Sequence, residues 1–137
     1  VKSNKLIPLE KSSKFSLPSS YQAVNTDSLC PVFSFRYLTR SYCITNCNTD
    51  EKAAFAEKMQ KLSQMTWIQI RGAHRHGLGT EKIEKSAIKV PIPTVVTEDV
   101  SLLAFRFSGK APMVGFRERD VFHVLWFDRD YSLYKHE

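Results

Sequence analysis

The chain has 137 residues, near the common size of one domain and too few for two full ones. Its 42% hydrophobic and 25% charged residues are globular proportions, which argues against a largely disordered chain. An excess of 20 Lys+Arg over 14 Asp+Glu, net +6, points to a polyanionic partner such as RNA, DNA or an acidic protein surface.

Residues 1–30 mix Lys, Ser and Pro with scattered apolar side chains, and Pro8 and Pro18 interrupt any continuous helix. An extended N-terminal arm is expected there, followed by one domain over residues 31–137. The start, "VKSNKLIPLEKSSKF", lacks the continuous apolar stretch of a secretory leader. No apolar run reaches the roughly 18 residues of a membrane span. A soluble, cytoplasmic protein without membrane contact is the expectation.

From Pro31, "PVFSFRYL" alternates Phe33, Phe35 and Tyr37 against smaller and polar residues, which predicts a strand with an aromatic face. "NTDEKAAFAEKMQKLSQM" then changes period: Phe55, Met59 and Leu62 fall on one helical face, and Asn48 with Glu51 has capping-box spacing. Thr66 and Gln69 repeat that spacing and predict a shorter second helix ending near Gly72. The loop "HRHGLG" follows. "AIKVPIPTVV" reads as an edge strand or an extended connection, because Pro91 and Pro93 cannot donate to a ladder. Three β-rich runs, "SLLAFRFS", "PMVGFRE" and "VFHVLWF", are separated by turn signals at 108–111 and 118–120. Together these predict an α+β fold: two N-terminal helices packed on a mainly antiparallel sheet with a C-terminal β-meander.

There is no Gly-rich nucleotide loop in a strand–helix context, no GxSxG elbow and no HExxH helix. Cys43-x3-Cys47 and His74-x-His76 have the spacing of two zinc-ligand pairs. With Cys43 in an apparent strand and the histidines on a glycine-rich loop, reduced, idle thiols are the preferred reading, and no metal or cofactor is expected. Arg106, Arg117 and Arg129 recur on or just after the last three β segments. On one face of a sheet they would hold adjacent phosphate oxygens; singly, each is an ordinary outward charge. Metal-free RNA cleavage needs a base for the ribose 2′-OH, a cation for the phosphorane and an acid for the leaving oxygen. Histidine as a side-chain type ordinarily ionises near neutrality, so His136 suits either proton role, and Tyr134 can stack or donate its phenolic proton. His74, Arg75 and His76 form a second constellation, either a cationic helix end or a phosphate-contacting loop. His123, between Phe122 and Val124, reads as structural.

The order strand, long helix, short helix and β-meander, closing on "VFHVLWFDRDYSLYKH" with the arginine run "LLAFRFSGKAPMVGFRE", resembles the RelE/ParE-type toxin fold of bacterial toxin–antitoxin systems. The resemblance covers residues 31–136. It implies a metal-independent endoribonuclease, an mRNA interferase often acting in the ribosomal A site, with an acidic antitoxin as partner. By the same resemblance Arg106, Arg117, Tyr134 and His136 would be catalytic. Arg129, Lys135, His74, Arg75 and His76 would bind RNA. The chain departs from the family at Phe127-Asp128, where a His-Arg pair is common. Two other classes fit the same residues: a non-catalytic nucleic-acid or protein-binding module, and an interaction protein that meets no nucleic acid.

Overall fold

The computed structural model describes residues 25–136 and is α+β, with a five-stranded mixed sheet and two α-helices. Residues 1–24, most of the expected N-terminal arm, lie outside the described residues. The strands are β1 (Val32–Ser34), β2 (Thr80–Ile83), β3 (Leu102–Ser108), β4 (Ala111–Glu118) and β5 (Val121–Phe127). The three β-rich C-terminal runs form β3, β4 and β5 as consecutive antiparallel hairpins. Gly109 turns the first hairpin with φ +57°, a conformation open to a residue without Cβ.

Two edges complete the sheet in the order β1-β5-β4-β3-β2. β2 pairs antiparallel with β3, whereas β1 runs parallel to β5 with Val32 opposite Val121. Only three residues of the aromatic run "PVFSFRYL" are strand. A Ser34 side-chain bond to the Arg36 N–H and a Phe35 to Leu38 turn end the ladder there.

Helix α1 (Thr49–Leu62) starts in a complete capping box: Asn48 Oδ1 accepts the Glu51 N–H, and Glu51 Oε1 accepts the Asn48 N–H, each at 2.8 Å. Thr66 and Gln69 make the equivalent box for α2 (Trp67–Arg71). Leu62, Trp67 and Ile70 from the helical region share one core with Phe105, Phe107, Met113, Phe122 and Phe127.

A second core holds Leu102, Ala104, Val114, Phe116, Leu125, Trp126, Leu133 and Tyr134. Ile88, Val90, Ile92, Val95 and Val96 pack against it. The segment "AIKVPIPTVV" therefore forms no strand; it is an extended connection whose apolar side chains cover that core. With both faces covered, β3 alternates Leu102 and Ala104 into one core and Phe105 and Phe107 into the other. That is why its sequence reads as nearly continuous apolar residues.

One irregularity sets the direction of the C-terminus. The register steps from Val114 opposite Trp126 to Gly115 opposite Val124, so Leu125 is an extra residue on β5. Leu125 and Trp126, adjacent in sequence, consequently both enter the second core. A Cβ at Gly115 would collide with the carbonyl of His123, so the bulge is built around glycine.

Candidate functional site

Arg106 shares the pleat face of Leu102 and Ala104, and it is 7% exposed. Its Nη2 donates to Glu81 Oε1 at 2.7 Å; Glu81 is on edge strand β2, directly across from Ala104. Glu81 Oε2 accepts from Arg75 Nη1 at 3.1 Å. One carboxylate thus ties the buried guanidinium of β3 to a second one on the "HRHGLG" loop.

That loop is pinned from within and from α1. The N–H groups of Gly77 and Gly79 both donate to the His74 carbonyl, and Lys58 Nζ donates to Gly77 O at 3.1 Å. Any Cβ at Gly79 would collide with the Ala73 carbonyl.

The C-terminal residues approach from the other side. Asp128 is fully buried, and its Oδ1 accepts the N–H of Ser132 at 2.9 Å and of Leu133 at 3.0 Å. This turn folds the chain back so that Leu133 and Tyr134 enter the second core, with Lys89 N–H donating to Leu133 O. Asp128 Oδ2 faces His136 Nε2 at 2.9 Å, and the imidazole stacks on Tyr134 with ring centroids 4.0 Å apart. A carboxylate accepting from Nε2–H fixes the ring and leaves Nδ1 as its basic nitrogen.

These pieces border an open pocket of about 240 Å³, whose lining includes Arg75 and His76 from the loop, Glu81 and Lys82 from β2 with Glu84 just after it, Arg106 from β3, and Tyr134, Lys135 and His136. Arg106 Nε and Nη1 and the Tyr134 hydroxyl are buried without a hydrogen-bond partner among the described residues. An unpaired buried donor costs roughly 1–3 kcal/mol, so donors grouped this way favour an incoming oxyanion. Burial pushes the Tyr134 phenol up to about 12, against the nearby Arg106 charge, and so keeps it a proton donor. The His76 imidazole is held below its ordinary value, first by desolvation from the neighbouring groups and then by the charges of Arg75, Arg106 and His74, with Glu81 opposing them.

The pocket brings together six of the residues singled out in the sequence: Arg75, His76, Arg106, Tyr134, Lys135 and His136. His74 stands behind them, its Nδ1 accepting the His76 N–H at 3.2 Å. Of the two arrangements open to the three arginines, a row on one face does not form. Arg106 belongs to the face of Leu102 and Ala104, whereas Arg117 belongs to the opposite face of the sheet, five residues along β4 from the Pro112 that pairs with Arg106. There its guanidinium lies 4.3 Å over the Trp67 ring and donates to Asp27 Oδ1 at 2.6 Å and to the Arg119 carbonyl at 2.6 Å. Arg129 points to α1, where its Nε donates to Glu51 Oε1 at 2.8 Å beside the capping box.

Two acids that hold pocket residues in place, Glu81 within the lining and Asp128 behind His136, were missed in the sequence. Glu81 lies in a short, half-polar edge strand whose pattern carries no signal. The signal for Asp128 was an acid directly after an apolar strand with a serine four residues on, the spacing of a side-chain-capped turn. His123 is buried outside the pocket, stacked on Phe116 at 4.8 Å with Nε2 3.0 Å from Glu118. Cys43 sits between two single 3-10 turns rather than in a strand. Among the described residues no group of three or more His, Cys, Asp and Glu side chains is placed to hold a metal ion, and no helix is long and apolar enough to cross a membrane.

No family model, curated protein or solved structure matches the chain. Its functional reading rests on the chemistry of the pocket.

Proposed function

We propose that the chain is an endoribonuclease that cleaves through attack of the ribose 2′-OH, in the manner of a toxin whose basic surface an acidic protein partner would neutralise. The observation that carries the reading is the grouping of two imidazoles with the buried, unpaired donors of Arg106 and Tyr134 around one pocket. Each role of the reaction then has a protein group. His76 takes the 2′-OH proton, since its imidazole lines the pocket on the loop side and its surroundings disfavour the protonated form. The 2′-oxygen attacks phosphorus, and the charge of the phosphorane falls on Arg106 Nε and Nη1 and the Tyr134 hydroxyl. His136, oriented by Asp128, enters the step as the imidazolium and passes its Nδ1 proton to the departing 5′-oxygen, which leaves the ring neutral with Nε2–H still on Asp128. A 2′,3′-cyclic phosphate and a free 5′-hydroxyl result.

Glu81 serves as a positioning residue in this scheme. Both of its oxygens already accept charged hydrogen bonds, from Arg106 and from Arg75, which makes it a brace between the strand and the loop. Lys135 and Arg75 add positive charge for the flanking phosphates.

Inducible expression in bacteria tests the reading, with growth and mapped mRNA 5′ ends as readouts. The wild type is expected to arrest growth and create new 5′ ends. Arg106→Ala and His136→Ala are expected to lose about 10²-fold or more of the cleavage, the usual weight of a transition-state donor or proton donor. Arg117→Ala weakens the fold and leaves cleavage per folded molecule intact. Soluble wild-type protein with normal growth and intact mRNA would remove the nuclease and leave a binding module.

A further inference from the structure

We propose that Tyr131 is the stacking platform for the nucleobase on the 3′ side of the scissile phosphate. The proposal rests on the endoribonuclease reading for which side of the phosphate is meant, and on the geometry of residues 128–136 for the platform itself. Tyr131 takes φ +61°, a left-handed conformation that asparagine or glycine adopts with less strain than tyrosine. It sits within the turn that Asp128 closes by accepting the Ser132 and Leu133 N–H groups, where Ser132 Oγ also donates to Asp130 Oδ1 at 2.7 Å. Core packing does not account for an aromatic here, because Leu133 and Tyr134 supply the buried side chains and Tyr131 remains 45% exposed. Its ring stands at 83° to the imidazole of His136, with centroids 4.9 Å apart. Strained backbone that holds an exposed side chain beside a reactive group is characteristic of functional positions.

The assignment to one side of the phosphate follows from the roles. His136 protonates the 5′-oxygen of the departing nucleotide, so that nucleotide and its base lie next to His136. Tyr134 is already stacked on His136 and buried, which leaves Tyr131 as the exposed aromatic in contact with His136, just outside the pocket lining. Unstacked bases of single-stranded RNA pair with such rings without regard to sequence. The substrate class is therefore single-stranded RNA with a base-bearing nucleotide after the cut.

The experiment uses the full chain and two 2′-O-methyl dinucleoside phosphates that cannot be cleaved, one with adenine on its 3′ nucleoside and one with an abasic 3′ ribose. Wild type is expected to bind the first about tenfold more tightly, the usual weight of one stacked base. Tyr131→Asn, which suits the backbone and removes the ring, should abolish that difference; Tyr131→Trp should retain it. An equal preference in wild type and Tyr131→Asn, or none in wild type, overturns the platform. The cleavable adenine dinucleotide is run in parallel. If it survives wild-type protein while the binding preference depends on Tyr131, the nuclease reading fails and the platform stands in a binding protein.

Discussion

His76 is exposed on its loop, yet its proton affinity is set by the pocket. Desolvation by neighbouring groups comes first, then the charges of Arg75, Arg106 and His74, all of which disfavour the imidazolium. A base with lowered affinity is fully deprotonated at lower pH, so the acid limb of kcat/KM for RNA cleavage should fall below the ordinary histidine value of 6.5. Arg75→Gln removes one of those charges and should move the limb to higher pH, which a pH–rate profile of the two proteins would read. Identical limbs would exclude His76 as the base. At this scale the sequence displayed the residue types but not their orientation. Arg106 and Arg117 look equivalent as text, yet strand pleating puts one into the pocket and the other onto Trp67.

The decisive element is the bulged hairpin of β4 and β5. Without the extra residue at Leu125, the residues after β5 would exchange faces, and Asp128 would not return the chain to the second core. Gly115 makes this possible, since a Cβ there meets the His123 backbone. Gly115→Ala should therefore destabilise the fold by about 1–3 kcal/mol, the range of overpacked positions, and lower cleavage through misplacement of His136. Urea unfolding with a parallel activity assay checks both; unchanged stability would show that the backbone yields freely. Elements governed by local chemistry were legible: both helix starts followed from Asn48–Glu51 and Thr66–Gln69. Elements that depend on distant partners were not. β2 is a four-residue edge with a half-polar pattern, and β1 finds its parallel partner nearly ninety residues along the chain.

For the whole molecule, the sheet is covered on both faces: one core includes the helical residues, and the other is covered by the extended segment and the C-terminal turn. That arrangement brings the edge strand and the adjoining glycine loop to one pocket with the C-terminal residues, which lie about fifty residues further along the chain. Sequence reading found the loop and the C-terminus as separate constellations, and only the fold joins them. The net charge of +6 agrees with a polyanionic ligand, but the specific contribution is the small group of buried, unpaired donors on Arg106 and Tyr134, two residues of the pocket lining.

The most direct test of that chemistry incubates the purified full chain with a short single-stranded RNA and with the same RNA carrying one 2′-deoxyribose at the principal cut. Wild type is predicted to cut the RNA to a 2′,3′-cyclic phosphate and a 5′-hydroxyl, to spare the deoxy position, and to lose cleavage on Arg106→Ala. Cutting at the 2′-deoxy position, or undiminished cutting by folded Arg106→Ala, would contradict cleavage by 2′-OH attack in this pocket.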